Sequence, residues 1–182
     1  VASLYPVAPV EAGVGGAEAV AAAFEAGRQL YARGVDFDFM DFESLTRARI
    51  ADGRLEVSGE TYRALVLPAM RAARWSTVLK ADEFRRAGGH LFVVGAPPEA
   101  SDRAGRDDSE LAARVKDWPK AVTPAELAAA VPAAFPPDFA AAGASPSFLH
   151  RRIGPRDVWM VYGAPKGTEC AFRAVGRAEL WD

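Results

Sequence analysis

The chain has 182 residues, of which half are hydrophobic and a quarter charged, with a net charge of −2. This suits one globular domain with a real core, and the lack of a cationic excess argues against binding to nucleic acid or to an anionic membrane. The single cysteine, Cys170, excludes an intrachain disulfide and a multi-cysteine zinc site, and no apolar run reaches the roughly 20 residues of a membrane span.

Alternating strands and helices are predicted from the N-terminus onward. Residues 3–8 read as a short buried strand. Residues 17–33 read as a helix with Val20, Phe24, Gly27 and Tyr31 on its apolar face and Leu30 beside them. Residues 64–68 and 90–95 are continuous apolar runs, typical of central parallel strands. The alternation predicts an α/β fold with a doubly wound, mostly parallel sheet.

Residues 34–41, GVDFDFMD, hold three aspartates. Period-two alternation predicts a strand with an apolar face and an acidic face, on which Asp36 and Asp38 lie about 7 Å apart. A cation site needs several converging oxygens, and a glycosidase pair must flank a sugar. Neither has support from the neighbouring residues, so an edge strand guarded by acids is favoured. Asp41 follows the strand and is predicted to cap a short helix at residues 42–47.

Further capping signals and turns follow. Residues 50–55 contain an Asp-Gly turn typical of a hairpin. Ser76 is predicted to cap a helix that Gly88 and Gly89 terminate. Asp107 with Glu110, and Thr123 with Glu126, are spaced as capping boxes.

Three segments are predicted. Residues 1–118 form the α/β domain, residues 119–146 form an Ala/Pro-rich helix and linker, and residues 147–182 form an antiparallel meander of three strands. These strands carry aromatic residues that need a second layer. We expect either a β-sandwich of which only the start is present, or strands that dock on the α/β part. The start at Val1, without methionine or signal peptide, favours a piece of a longer protein.

Motifs that would carry chemistry are weak. The GVGGAE stretch has Glu18 where a dinucleotide-binding loop needs its third glycine. No nucleophile follows the strand at residues 90–95, and Cys170 reads as a small buried hydrophobe. His90 and His150 have no partner nearby in sequence, so both are interpreted as structural or surface residues.

Ligands of open α/β sheets gather at the carboxyl ends of the strands. The candidate ligand-binding residues at those ends are Asp41, Ser44, Met70, Arg71 and Pro97. No catalytic residue, metal ligand or cofactor is predicted. Trp159, Tyr162 and Trp181 are candidates for stacking on a sugar, but a role in the core of the β-unit is favoured.

The order of motifs resembles a known family. The stretch LYARGVDFDFMDFESLTRARIADGRLEVSGETYRALVLPAM, then VLKADEFRRAGGHLFVVGAPP and FLHRRIGPRDVWMVYG…LWD, is similar to the α/β domain inside large bacterial glycoside hydrolases of the α-L-rhamnosidase family. That domain shares its fold with class I glutamine amidotransferases. The resemblance covers roughly residues 4–182.

The resemblance implies a non-catalytic accessory domain whose partners are the other domains of a parent hydrolase, with carbohydrate bound through the parent and a secreted or periplasmic location. The catalytic acids of that family lie in a barrel domain, so no catalytic residue is carried over. The amidotransferase relatives have a cysteine where this chain has Gly95, Ala96 and Pro97. The alternative is a stand-alone flavodoxin-like ligand-binding protein or enzyme.

Overall fold

A computed structural model describes residues 1–181, so Asp182, the last residue of the predicted meander, lies outside the described residues. In chain order the elements are β1 (Ala2–Leu4), α1 (Val7–Glu11), α2 (Gly16–Ala32), β2 (Asp38–Met40), α3 (Phe42–Arg47), β3 (Arg49–Ala51), β4 (Arg54–Val57), β5 (Glu60–Tyr62), β6 (Ala64–Pro68), β7 (Ala72–Ala73), α4 (Trp75–Arg86), β8 (His90–Val94), β9 (Ala100–Ser101), α5 (Ser109–Val115), α6 (Pro124–Ala134), β10 (Phe139–Ala141), β11 (Ser147–Ile153), β12 (Arg156–Tyr162) and β13 (Cys170–Phe172).

The main sheet has four parallel strands in the order β2-β1-β6-β8. A single parallel bridge between Val94 and Val122 extends it beyond β8. Every residue of β6 is buried, as its continuous apolar sequence predicts for a central strand. The predicted α/β fold with a mostly parallel sheet is confirmed.

Two apolar clusters cover the two faces of this sheet. Leu65, Leu67 and Leu91 point into a cluster with residues of α3, α4 and α5. Val66 and Val94 point the other way, into a cluster with Leu30 of α2 and Leu127 of α6. Successive strand residues alternate between the clusters because side chains alternate across a β-sheet.

The acidic strand lies at one edge of the sheet, as predicted, but it begins only at Asp38. Its predicted faces are wrong, because Met40 is buried and Phe39 is 40% exposed. Asp38 is exposed, and its carboxylate accepts a hydrogen bond of 3.1 Å from the Tyr62 hydroxyl. Phe37 packs where Gly27 of α2 has no side chain, since a Cβ there would lie 2.7 Å from the ring. Burial, and then the charge of Asp38, raise the pKa of Tyr62 to about 12.

The predicted apolar face of α2 is confirmed at Gly27, and at Leu30 beside it, but is wrong at Phe24 and Tyr31. Its buried residues are Ala19, Ala23, Ala26, Gly27 and Leu30, whereas Phe24 and Tyr31 are more than half exposed. Small side chains let α2 approach α6 and the sheet closely, and this packing overrides the larger aromatic residues.

Two predicted caps are also wrong. The helix assigned to Ser76 begins at Trp75, and the Asp102 carboxylate accepts from the Trp75 N–H at 2.6 Å. Asp108, not Asp107, caps α5. The Asp41 cap of α3 and the Thr123–Glu126 capping box of α6 are confirmed. The predicted hairpin is present as β3–β4, and β5 adds a third antiparallel strand.

The predicted three-stranded meander is wrong in one pairing. β11 and β12 form the expected hairpin, but β13 pairs with β10 from within the Ala/Pro-rich segment. β10 and β13 are therefore a second small antiparallel sheet. The helix α6 also packs against α2, so part of residues 119–146 belongs to the core of the α/β unit.

The C-terminal strands dock on the α/β part, which is one of the two arrangements expected from the sequence. The Tyr31 hydroxyl lies 2.5 Å from the Ser147 Oγ. A Cβ at Gly34 would lie 2.8 Å from the Phe148 ring, so the hairpin approaches the chain closely there. Phe148 also packs on Phe139 of β10.

Candidate functional site

The predicted ligand-binding residues follow strands of the main sheet, at its carboxyl edge. Asp41 follows β2, Met70 and Arg71 follow β6, and Pro97 follows β8. Parallel strands bring their carboxyl ends to one edge, which explains why residues distant in sequence share this region.

Asp41 and Ser44 form a helix cap. One Asp41 carboxylate oxygen accepts from the Ser44 N–H, and the other accepts from the Ser44 hydroxyl, both at 2.7 Å. These hydrogen bonds, the backbone one first, lower the pKa of Asp41 below its ordinary value. Both residues therefore act in local structure, with the Asp41 carboxylate exposed.

Met70 and Arg71 are adjacent in sequence, but Met70 lies in an apolar cluster and Arg71 lies among acidic side chains. Met70 is buried in the apolar cluster on the α3–α5 face of the sheet. The Arg71 Nε lies 2.8 Å from Glu18 of α2, and its Nη1 lies 2.5 Å from Glu99. The two glutamates, Glu18 first, raise the pKa of Arg71. Arg71 thus ties the start of α2 to the loop after β8.

The glycine-rich loop before α2 fits around this arginine. Gly15 has φ +68°, and a Cβ there would lie 2.9 Å from the Arg71 Cδ. The loop is therefore shaped by a side chain of the protein itself. A shallow apolar cavity lies beside it, between α1 and α2, and is lined by Val10, Gly13, Gly16, Ala17, Val20 and Ala21.

The turn after β8 holds no nucleophile. Gly95 has φ +76°, and a Cβ there would lie 3.3 Å from the Ala69 Cβ. Ala96 is buried and Pro97 is exposed. The backbone of this turn packs closely against the end of β6, since the Ala69 N–H donates to the Val94 carbonyl.

An open cavity of about 350 Å³ lies near this turn, and its lining includes Pro98, Glu99, Asp107, Asp108, Ser109 and Leu111. Asp108 is its most constrained polar group, with a side chain that is 1% exposed. Its carboxylate contacts Arg103, accepts from the Ser101 hydroxyl at 2.9 Å, and caps α5. Arg103 is the main reason that the pKa of Asp108 falls to about 2. The sequence pattern indicates Asp107 rather than Asp108, because Asp107 offers the same capping signal one residue earlier.

A second polar constellation lies in the C-terminal strands. The His150 ring contacts Asp138 and Asp157 and stacks on Trp159. The turn after Ile153 pairs that residue with Arg156, and the resulting register places His150 opposite Trp159. This part could have been predicted from the hairpin signal. Asp138 approaches from outside the hairpin and leaves no such signal.

His90 and Cys170, the two remaining residues considered in the sequence, lie outside any cluster of polar side chains that could carry chemistry. His90 is exposed, and its ring packs edge-on against Phe135. Cys170 is half-buried in β13. Within residues 1–181, no group of three or more His, Cys, Asp or Glu side chains is arranged to hold a metal ion. No helix in the same range is long and apolar enough to cross a membrane.

Comparison with protein-family models, with curated proteins and with solved structures found no match for this chain.

Proposed function

We propose that this chain is a non-catalytic accessory domain of a larger glycoside hydrolase resembling the α-L-rhamnosidases. It packs against a catalytic barrel that is supplied by the parent protein. The ordered series of sequence motifs at residues 30–70, 78–98 and 148–182 supports this proposal. Carbohydrate is then bound by the parent protein, and this domain shapes or stabilises the parent protein.

The observation that carries the proposal is an uncovered apolar face on the β11–β12 hairpin. In β12, Val158, Met160 and Tyr162 point to the same side and are 44%, 65% and 80% exposed. Leu149 and Ile153 of β11 extend this face, on which Arg151 and Arg156 also lie. Exposed apolar side chains gathered on one side of a hairpin mark an interface. We call the five apolar residues the hairpin face.

We further propose that the α/β unit has the doubly wound, flavodoxin-like arrangement of the amidotransferases. The strand order β2-β1-β6-β8, the adjacent bridge at Val122 and helices on both faces support it. Gly95, Ala96 and Pro97 occupy the turn where the amidotransferases carry cysteine. This domain would then have kept the scaffold without the nucleophile.

The length of the native gene product tests the proposal. An immunoblot of source lysate with an antibody raised against this chain should detect a protein several times longer than 182 residues. Intact-mass spectrometry of the detected protein should give the same length. A native product of about this length would contradict the proposal. Hydrolysis of an aryl rhamnoside by this chain alone would contradict its non-catalytic part.

The hairpin face can be tested in the parent protein. Met160→Lys should lower the thermal midpoint of the parent more than it lowers that of this chain alone, because the lysine would be buried only in the parent. Leu79→Lys, at an exposed apolar residue of α4, is the matched control. Equal effects of Met160→Lys in both contexts would argue that nothing covers the hairpin face.

The second candidate function is a stand-alone ligand-binding protein or enzyme. The observation that favours it is the open cavity of about 350 Å³ at the carboxyl edge, where Ser109 and Glu99 offer polar groups. Binding at this cavity would be detected as chemical-shift changes when the protein is screened by NMR against small anionic and sugar ligands. Shifts confined to residues 97–112, in a native product of this length, would support this function over the first.

A further inference from the structure

The His150 ring lies between two carboxylates. Its Nδ1 is 2.5 Å from an Asp138 carboxylate oxygen, and its Nε2 is 3.1 Å from an Asp157 carboxylate oxygen. The ring stacks on Trp159, with centroids 4.1 Å apart and an interplanar angle of 6°. Asp157 and Trp159 belong to β12, whereas Asp138 directly precedes β10. The histidine therefore joins the hairpin to the second small sheet.

The number of protons on the ring decides how many of these contacts are favourable. A neutral imidazole has one N–H and one lone pair, so it can donate to one carboxylate and must turn a lone pair toward the other. An imidazolium donates to both carboxylates in charge-assisted hydrogen bonds. Its positive charge over the Trp159 indole adds a cation–π contact.

The other charged groups nearby leave the two carboxylates facing the ring. From β11, Arg152 is exposed, and Arg151 donates from Nη1 to the His150 carbonyl. After β13, the Arg173 N–H donates to the Asp138 carbonyl, and its guanidinium donates to the carbonyl of residue 136. The side chains that β10 and β13 pack beneath the hairpin are the aromatic rings of Phe139 and Phe172. The immediate partners of both ring nitrogens are thus anionic.

We propose that His150 is a proton-operated latch. As an imidazolium it ties the β11–β12 hairpin to the segment that leads into β10. Loss of the proton releases one carboxylate and loosens the hairpin. The hairpin also carries the hairpin face, so the latch controls how firmly that face is held. The proposal is independent of the function of the parent.

Histidine-ring NMR tests the latch directly, because the chain has two histidines. The His90→Gln variant leaves one ring signal to follow, in long-range ¹H–¹⁵N spectra between about pH 5 and 9. Both ring nitrogens of His150 should carry protons at the acid end. Backbone amide signals of residues 138, 150 and 157 should shift with the same midpoint as the ring. As the His150 ring loses its proton, the rate of amide hydrogen exchange in β11 and β12, corrected for its intrinsic pH dependence, should rise about tenfold. A change of this size corresponds to the loss of about one charge-assisted hydrogen bond.

Two further variants separate the latch from ordinary packing. His150→Gln should abolish the pH step in the hairpin amides. Asp157→Asn, which keeps an acceptor but removes the charge, should reduce it. The proposal is overturned if the ring titrates without any change in the hairpin amides, or if the step persists in His150→Gln. The titration with His150 present remains decisive even if His150→Gln weakens folding.

Discussion

At several glycines, the absence of a Cβ atom leaves the space that a neighbouring side chain occupies. Gly89, between α4 and β8, is the clearest case, because a Cβ there would lie 2.2 Å from the ring of Phe84. Phe84 is fully buried in the cluster that covers the α3–α5 face of the sheet. The ring therefore occupies the space that any other residue at position 89 would need.

We expect Gly89→Ala to destabilise the protein by about 1–3 kcal/mol, since the Phe84 ring must leave its packed position. Gly176→Ala is the control, because nothing lies within 4 Å of a Cβ at that residue. It should change the free energy of unfolding by less than about 0.5 kcal/mol. Urea unfolding measures both, and equal effects would show that the Phe84 contact carries no cost.

Asp108 predicts how the stability of the folded chain depends on pH. Its pKa is about 2 in the folded protein against an ordinary value of 3.8, mainly because of Arg103. The unfolded state therefore binds the proton first, so the contribution of Asp108 is complete above about pH 5 and is lost as the pH falls toward 2. Asp108→Asn should flatten this part of the curve of urea midpoint against pH. An unchanged slope in that variant would assign the acid sensitivity to other carboxylates.

Helix α6 is the element whose role changes most between sequence and structure. Its Ala-rich composition is typical of a linker, yet it begins with a complete capping box and packs against α2. Leu127 and Val131 enter the same cluster as Leu30 of α2 and Val66 of β6. The helix is thus part of the α/β core.

The cap of α6 can be tested by removing its hydroxyl. Thr123→Ala should cost about 1 kcal/mol, because the Glu126 N–H loses its acceptor. Thr46→Ala, in the last turn of α3, is the matched control: Thr46 is exposed, and its hydroxyl donates only to the Phe42 carbonyl within the same helix. Thermal unfolding of both variants is the measurement. A cost in Thr46→Ala as large as that in Thr123→Ala would contradict the assignment of the cap.

The packing of α6 is tested by Leu127→Ala. This side chain is fully buried, so we expect a loss of about 2–5 kcal/mol. Leu180→Ala, at a residue that is 94% exposed, should be nearly neutral. Chemical denaturation compares the two. A small loss in Leu127→Ala would mean that α6 contributes little to the core.

Across the whole molecule, the sequence predicts best where one residue pattern has one physical outcome. The apolar run of β6 requires burial on both faces, and the box at Thr123 requires a helix start. Prediction fails where patterns compete. Asp107 and Asp108 offer the same cap, and the large residues of α2 suggest a face that close packing of small residues overrides. Two features depend on contacts between distant segments, which no local sequence pattern indicates. They are the pairing of β13 with β10 and the approach of Asp138 to His150.

The two β-regions should differ in local stability. Residues of β6 are buried between neighbouring strands and helices, whereas the hairpin has one uncovered face. We expect amides of β6 to exchange only through global unfolding and those of β11 and β12 through local opening. Hydrogen-exchange mass spectrometry on peptides spanning residues 64–68 and 147–162 tests this. Equal protection of the two regions would show that they unfold as one unit.

The central position of β1 has a consequence for synthesis on the ribosome. This first strand lies between β2 and β6, so one of its two neighbours ends at residue 68, which is 64 residues after Leu4 (68 − 4 = 64). At about 5–20 residues per second, that neighbour is completed about 3–13 s after β1 has been translated. During this interval the edge of β1 that faces β6 stays unpaired, whereas β2, which is completed earlier, can pair with the opposite edge of β1.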